Sequence, residues 1–210
     1  EIQNSTIVID FNFFHQHGKE LGFLYKSNTP AIILKWSEQL KFYKAYSNFI
    51  VPIGIVWVSP YFPDDAKTVK FNIENRMIEE HNTRNVIAFV EGSHAADSFY
   101  VFTAHYDHLG MLGKKVYYPG ANDNASGVAM LISLAEHYAK PENQPKISML
   151  FVAVAGEETG LLGSKHFVEN PIIPLSNIKY VLNFDMIADN SEDIYVEISD
   201  EGQKGLDLLN

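Results

Sequence analysis

Two adjacent carboxylates, Glu157 and Glu158, follow directly on an apolar run at residues 147–155 and a single glycine. At the end of a buried strand such a pair repels itself and is costly to desolvate. A divalent cation removes that penalty. One carboxylate binds it while its neighbour, facing a metal-bound water, acts as a base. Taken alone, the pair has a plainer and commoner reading as a solvated loop before a helix, where negative charge is favoured. Three other stretches change the balance. In Ala104-His105-Tyr106-Asp107-His108-Leu109-Gly110, His105 and Asp107 lie two residues apart and point the same way at the end of an extended segment. That spacing suits an imidazole ligand with a carboxylate nearby to orient it, and His108 competes as the ligand. In Gly120-Ala121-Asn122-Asp123-Asn124-Ala125-Ser126-Gly127, small residues surround one aspartate just before a helical pattern. Such a loop either brings backbone close to a ligand or merely caps the helix. In Val181-Leu182-Asn183-Phe184-Asp185-Met186-Ile187, Asp185 is a charge within an apolar strand pattern, and so needs a strand end or a partner.

The elements that must position these groups alternate. Residues 85–90 and 99–104 read as strands, with Glu91-Gly92-Ser93 beginning a hairpin turn between them. Residues 123–140 read as a helix, with Val128, Leu131, Ile132, Ala135 and Tyr138 at helical spacing. A strand at 147–155, a helix at 161–167 and a strand at 179–187 follow. A further strand at 191–198 and the start of a last helix close the chain. This order predicts an α/β fold with a mostly parallel, helix-covered central sheet. In an open sheet of that kind, ligands sit outside the carboxyl ends of the strands. His105, Glu157, Glu158 and Asp185 follow or end strands there, and Asp123 opens the intervening helix. Hard oxygens with imidazole and no sulfur fit Zn²⁺ in a catalytic site. More carboxylates than one ion needs point to two ions sharing a bridge.

Residues 1–83 form a separate small α/β region. Strands are expected at 6–10, 31–35 and 52–58, a helix at 13–26, a turn at 59–65 and a half-exposed strand at 67–73. His15 and His17 have no acidic partners in the pattern and read as surface or packing residues. Trp36 and Trp57 read as core or interface. The 210 residues, 46% hydrophobic, suffice for one good core plus an appendage. A formal charge of −10 argues against nucleic acid as a partner. With no cysteine, disulfides and thiolate chemistry are excluded. No apolar run approaches the roughly eighteen residues of a transmembrane helix. The chain opens on Glu, so a signal peptide removed in processing would leave no trace.

Together the motifs A-H-Y-D-H-L-G, G-A-N-D-N-A-S-G, G-E-E-T-G-L-L-G-S and N-F-D-M, in that order, resemble the M28 family of co-catalytic dizinc aminopeptidases, over roughly residues 84–198. The resemblance implies a zinc-peptidase (phosphorylase/hydrolase-like) domain, two Zn²⁺ ions and a peptide substrate. It implies that His105 and Asp185 bind one zinc, Glu158 the other, and that Asp123 bridges both. Glu157 is then the general base, Asp107 orients His105, and the Asp123–Asn124 peptide bond is cis. Residues 1–83 are similar in position and element order to part of a protease-associated domain, which favours an extracellular, cell-envelope or periplasmic location. The family's last zinc ligand is a histidine well downstream of the N-F-D-M aspartate, and here no histidine follows His166. Residues 84–210 are therefore expected to be a C-terminally incomplete catalytic domain, with the final ligand beyond residue 210. Other readings on the same scaffold are a carboxypeptidase or dipeptidase, a glutaminyl-cyclase-like enzyme, or a non-catalytic receptor-like binding domain.

Overall fold

The computed structural model describes residues 6–27, 30–36, 53–70 and 77–189, and the chain divides into two compact units, Glu1–Glu80 and His81–Asn210. In the first unit, strands β1 (Ile7–Asp10), β2 (Ala31–Lys35) and β3 (Gly54–Val58) form a parallel sheet in the order β1-β2-β3. The central strand is buried on both faces, as a parallel strand of continuous apolar residues should be. The helix expected over 13–26 is instead a short helix α1 (Phe11–Gln16) followed by a 3₁₀ segment at Glu20–Lys26. Gly18 and Gly22 weaken a continuous helix, and Asp10 caps α1 early by accepting the Phe13 N–H at 3.1 Å. The 3₁₀ segment buries Leu24 against Ile32, Leu34 and Ile53. His17 stacks on Phe13 with ring centroids 4.2 Å apart, while Trp36 stacks on Trp57 at 5.1 Å and packs against Phe11. Residues 67–70 form no strand, and 71–73 lie outside the described residues. Alternation marks a face that could be buried, but a strand also needs a neighbouring edge to pair with.

The second unit holds a four-stranded sheet in the order β4-β8-β5-β9, made of β4 (Val86–Val90), β5 (Ala95–His105), β8 (Ile147–Val154) and β9 (Ile178–Asn183). A two-stranded ribbon of β6 (Met111–Leu112) and β7 (Val116–Tyr117) follows β5. Strand β5 runs parallel to β8 and to β9, and β4 is antiparallel to β8. The expected hairpin of β4 with β5 is therefore absent, because β8 lies between them. The reason is visible at Ser148, which is fully buried. Its hydroxyl accepts the Gly92 N–H at 2.9 Å and donates to the Ala96 carbonyl at 2.8 Å. The 91–93 turn thus straddles the start of β8 instead of closing a two-strand loop.

Helix α2 (Gly127–Tyr138) covers one face, with Leu131 packed among Ala104, Met149 and Phe151. Helix α3 (Leu162–Glu169) brings Phe167 against Val101, Val152 and Val154 on the other. Each such fully buried Val or Leu contributes about 1.5–3 kcal/mol. Two of the boundaries that differ from expectation bear on the site. Helix α2 starts at Gly127, since Asp123 and Asn124 have non-helical backbone angles. Strand β9 ends at Asn183, leaving Asp185 just beyond it. The expected elements at 191–198 and after lie outside the described residues. Among the described residues, no helix is long and apolar enough to cross a membrane.

Candidate metal centre

Three parallel strands end side by side, and each delivers chemistry at its carboxyl end. Strand β5 ends on His105, β8 leads through Gly156 into Glu157 and Glu158, and β9 leads into Asp185. Asp123 comes from the turn at Ala121–Ser126 that opens α2. The Asp123–Asn124 peptide bond is cis.

His105 is 3% exposed. Its Nδ1 lies 3.1 Å from the Asp107 carbonyl oxygen, which can only accept, so Nδ1 carries the proton. Nε2 then presents a lone pair to Asp123 Oδ1 at 3.1 Å and Asp185 Oδ1 at 3.4 Å. Three electron-rich atoms facing one another form a set that could hold a cation. A tetrahedral ion with donors at about 2.0–2.1 Å places those donors about 3.3 Å apart, so the spacing fits Zn²⁺. A second group shares Asp123. His108 Nδ1 lies 2.8 Å from Glu158 Oε1 and 3.8 Å from Asp123 Oδ2. In each group the ligand atoms fall within 4.8 Å of one another, and among the described residues these are the two such groups. The two oxygens of Asp123 are thus divided between them.

Asp107 plays a different part from the one its spacing implied. Its carbonyl, not its carboxylate, is the nearest partner of His105, with the carboxylate at 3.9 Å. The carboxylate instead accepts the backbone N–H groups of Glu157 at 3.1 Å and Glu158 at 3.3 Å. One residue therefore fixes the imidazole with its main chain and the Glu-Glu loop with its side chain. Gly156, at φ +68°, starts that loop in the left-handed region that favours glycine.

The two glutamates face different surroundings. Glu158 meets His108. Glu157 lines a cavity of about 580 Å³ together with His105, Asp185 and apolar side chains such as Val152, Phe167 and Val181. Burial pushes the Glu157 carboxyl above its ordinary value; His105 opposes this, and the charges of Glu158, Asp185 and Asp107 add to it. A carboxylate with a raised proton affinity, beside a cavity, is suited to proton transfer.

Sequence reasoning missed the groups that lock these loops together. Asn124 is buried; its amide donates to the Phe184 carbonyl at 2.9 Å, and its oxygen accepts from Gly127 at 3.0 Å and Met186 at 3.3 Å. Asn122 and Ser126 accept the N–H groups of Ala188 and Ile187. These bonds tie the Asp123 turn to the Asp185 segment. Asn85 does the same for the Glu-Glu loop, accepting from Ala155 and donating to the Gly163 carbonyl. Amides flanking Asp123 were the available signal, but their partners are about sixty residues away in the chain.

The model of peptidase family M28 matches residues 85–209, and the chain belongs to that family. It is 32% identical over 159 residues to a probable zinc metalloprotease of Pyrenophora teres f. teres (strain 0-1), covering 75% of this chain and 30% of that protein. It is 38% identical over 111 residues to one of Pyrenophora tritici-repentis (strain Pt-1C-BFP), covering 52% and 23%. A third, from Pyricularia oryzae (strain 70-15), is 38% identical over 109 residues, covering 51% and 21%. The chain thus spans less than a third of the length of these curated relatives.

Proposed function

We propose that this chain carries the catalytic centre of a dizinc metallopeptidase acting as an aminopeptidase. The observation that carries the reading is Asp123, shared between a His105–Asp185 group and a Glu158-containing group beside the cavity-facing Glu157. The names of the relatives support zinc as the cation and peptide hydrolysis as the reaction. In this reading His105, Asp123 and Asp185 hold one ion, and Asp123 and Glu158 hold the other. The ions, when bound, lower the pKa of coordinated water and polarise the scissile carbonyl. Glu157 takes the proton from the attacking water on its side-chain carboxylate and returns it to the departing amine. Asp107 keeps Glu157 and Glu158 in place through their N–H groups and holds the His105 tautomer through its carbonyl. Apolar side chains such as Val152, Phe167 and Val181 line the cavity beside the reacting groups. We read residues 1–83 as a protease-associated-like region belonging to the same secreted or envelope protein.

The test uses the full-length protein with zinc content and peptide products measured together. Glu157→Gln should retain its zinc and lose turnover by at least about a hundredfold, the scale of a general base. Asp123→Ala should lose zinc itself. Peptides blocked at the amino terminus should resist cleavage while carboxyl-blocked ones are cut. Undiminished turnover by Glu157→Gln would sink the mechanism, and release from the carboxyl end would replace the aminopeptidase assignment.

A further inference from the structure

Glu157 and Glu158 share one short loop, and the two side chains are held differently. The Glu158 carboxylate meets the His108 ring at 2.8 Å. The Glu157 carboxylate has no hydrogen-bond partner among the described residues, so its place beside the cavity is set by the backbone that carries it. We infer that Asn85 is a positioning residue for Glu157, acting through the main chain at the base of that loop. This rests on the reading above of Glu157 as the general base and names what places it.

The geometry of the loop base carries the inference. After β8 the loop leaves the sheet at Ala155 and returns at Gly163. Hydrogen bonds join its two sides rung by rung. The Gly163 N–H donates to the Ala155 carbonyl at 2.8 Å, the Leu162 N–H to the Gly156 carbonyl at 2.9 Å and the Leu161 N–H to the Glu157 carbonyl at 3.0 Å. Asn85, the residue before β4, closes the outermost rung from the other side. Its oxygen accepts the Ala155 N–H at 3.1 Å, and its amide donates to the Gly163 carbonyl at 2.8 Å. Ala155, Gly163 and Asn85 thus form a closed ring of hydrogen bonds that uses both main-chain groups of Ala155 and of Gly163. Ala155 and Gly163 are buried, so losing Asn85 leaves buried polar groups unpaired. The ring is also tight. A Cβ on Gly163 would run into the Ala155 carbonyl and stand 2.5 Å from the Asn85 oxygen. The same stretch is tied to the turn after β5, where the Tyr106 hydroxyl donates to the Arg84 carbonyl at 2.7 Å. Asp107 grips the loop further out, through the N–H groups of Glu157 and Glu158. Truncating Asn85 loosens the base, and Glu158 then keeps His108 as a side-chain hold while Glu157 keeps none.

The experiment is a double-mutant cycle on the zinc-loaded, full-length protein, with kcat and KM for a short peptide and zinc content measured together. Asn85→Ala should lower kcat by about tenfold to a hundredfold, the scale of a small misplacement of a reacting group, with KM and zinc content within about twofold of wild type. In a Glu157→Gln background the same substitution should reduce kcat little further, because the group it misplaces is already gone. In the metal-free protein, Asn85→Ala should speed hydrogen exchange across residues 156–163 and leave β5 and β9 protected. Val90→Ala is the control. Val90 lies at the other end of β4, packed against Leu131 and Met149, and its truncation should lower stability and leave kcat unchanged. Should Asn85→Ala fail to fold, Asn85→Asp carries the same cycle, since it keeps an acceptor for the Ala155 N–H and loses the donor to Gly163. An unchanged kcat, equal losses in both backgrounds, or lost zinc with full turnover per bound zinc would overturn this inference and leave Glu157 its role. Undiminished turnover by Glu157→Gln alone would overturn the reading on which it rests.

Discussion

Glu157 and Glu158 are chemically identical neighbours, and the fold gives them different surroundings, one lining the cavity and the other meeting His108. The raised proton affinity of Glu157 has a consequence for the cation-free protein. Its cause is first burial, then the surrounding carboxylates, against the opposing effect of His105. A carboxyl whose folded pKa exceeds its unfolded value binds its proton more tightly when folded. The resulting stability is full below the ordinary value of 4.5 and is lost as pH rises through the folded value. Glu157→Gln cannot ionise and escapes that loss. Urea unfolding in the presence of chelator, at pH values from about 4 to about 7, should show the variant gaining on the wild type as pH rises. A constant difference across the series would mean that Glu157 is as free to ionise in the fold as out of it.

The elements of the second unit owe their alignment to side-chain bonds between loops as much as to the sheet. Asn124 shows this best, since its amide closes three bonds between the α2 entry and the segment after β9. Asn124→Ala leaves the Phe184 carbonyl and the Gly127 and Met186 N–H groups without these partners. The Gly127 N–H is buried and, orphaned, costs about 1–3 kcal/mol, while the exposed Met186 N–H can turn to water. Chemical denaturation should show a loss of at least that size, and zinc affinity should fall as well, since Asp123 and Asp185 lose their common anchor. A loss of stability with unchanged zinc affinity would show that the sheet alone positions the two aspartates. The sequence was informative where signals are local. Strands at 147–155 and 85–90, the apolar stripe of α2 and the acids at strand ends all follow from short-range pattern. It was silent where the deciding partner is distant. Nothing within residues 85–104 says that β8 will insert between β4 and β5, because that depends on Ser148 bonding to Gly92 and Ala96. The part taken by the Asp107 carboxylate was hidden for the same reason: its partners are the N–H groups fifty residues on. The helix at 13–26 failed for a local reason, its two glycines, which the apolar spacing outweighed in the reading.

At the scale of the whole molecule, the formal charge of −10 is unevenly placed. Asp107, Asp123, Glu157, Glu158 and Asp185 all gather at one edge of one sheet, within the unit His81–Asn210. Without cations like charges crowd that edge, and among the described residues the imidazoles of His105 and His108 and the N–H groups of Glu157 and Glu158 oppose their repulsion. Ions that bind the folded arrangement and not the unfolded chain stabilise it by mass action, by about 2.7 kcal/mol for each site at a free concentration a hundred times its Kd. Every donor of both groups belongs to the second unit, so the effect belongs to that unit's unfolding. Scanning calorimetry of the full-length protein should show a transition that falls on chelation and is restored by Zn²⁺. Added salt should recover part of the loss in the chelated protein by screening the carboxylates, and should do less for the zinc-loaded form, where the ions already neutralise them. A melt indifferent to both chelator and salt would mean that the five acids are solvated well enough to need no counter-ion, and the metal centre would have to be abandoned.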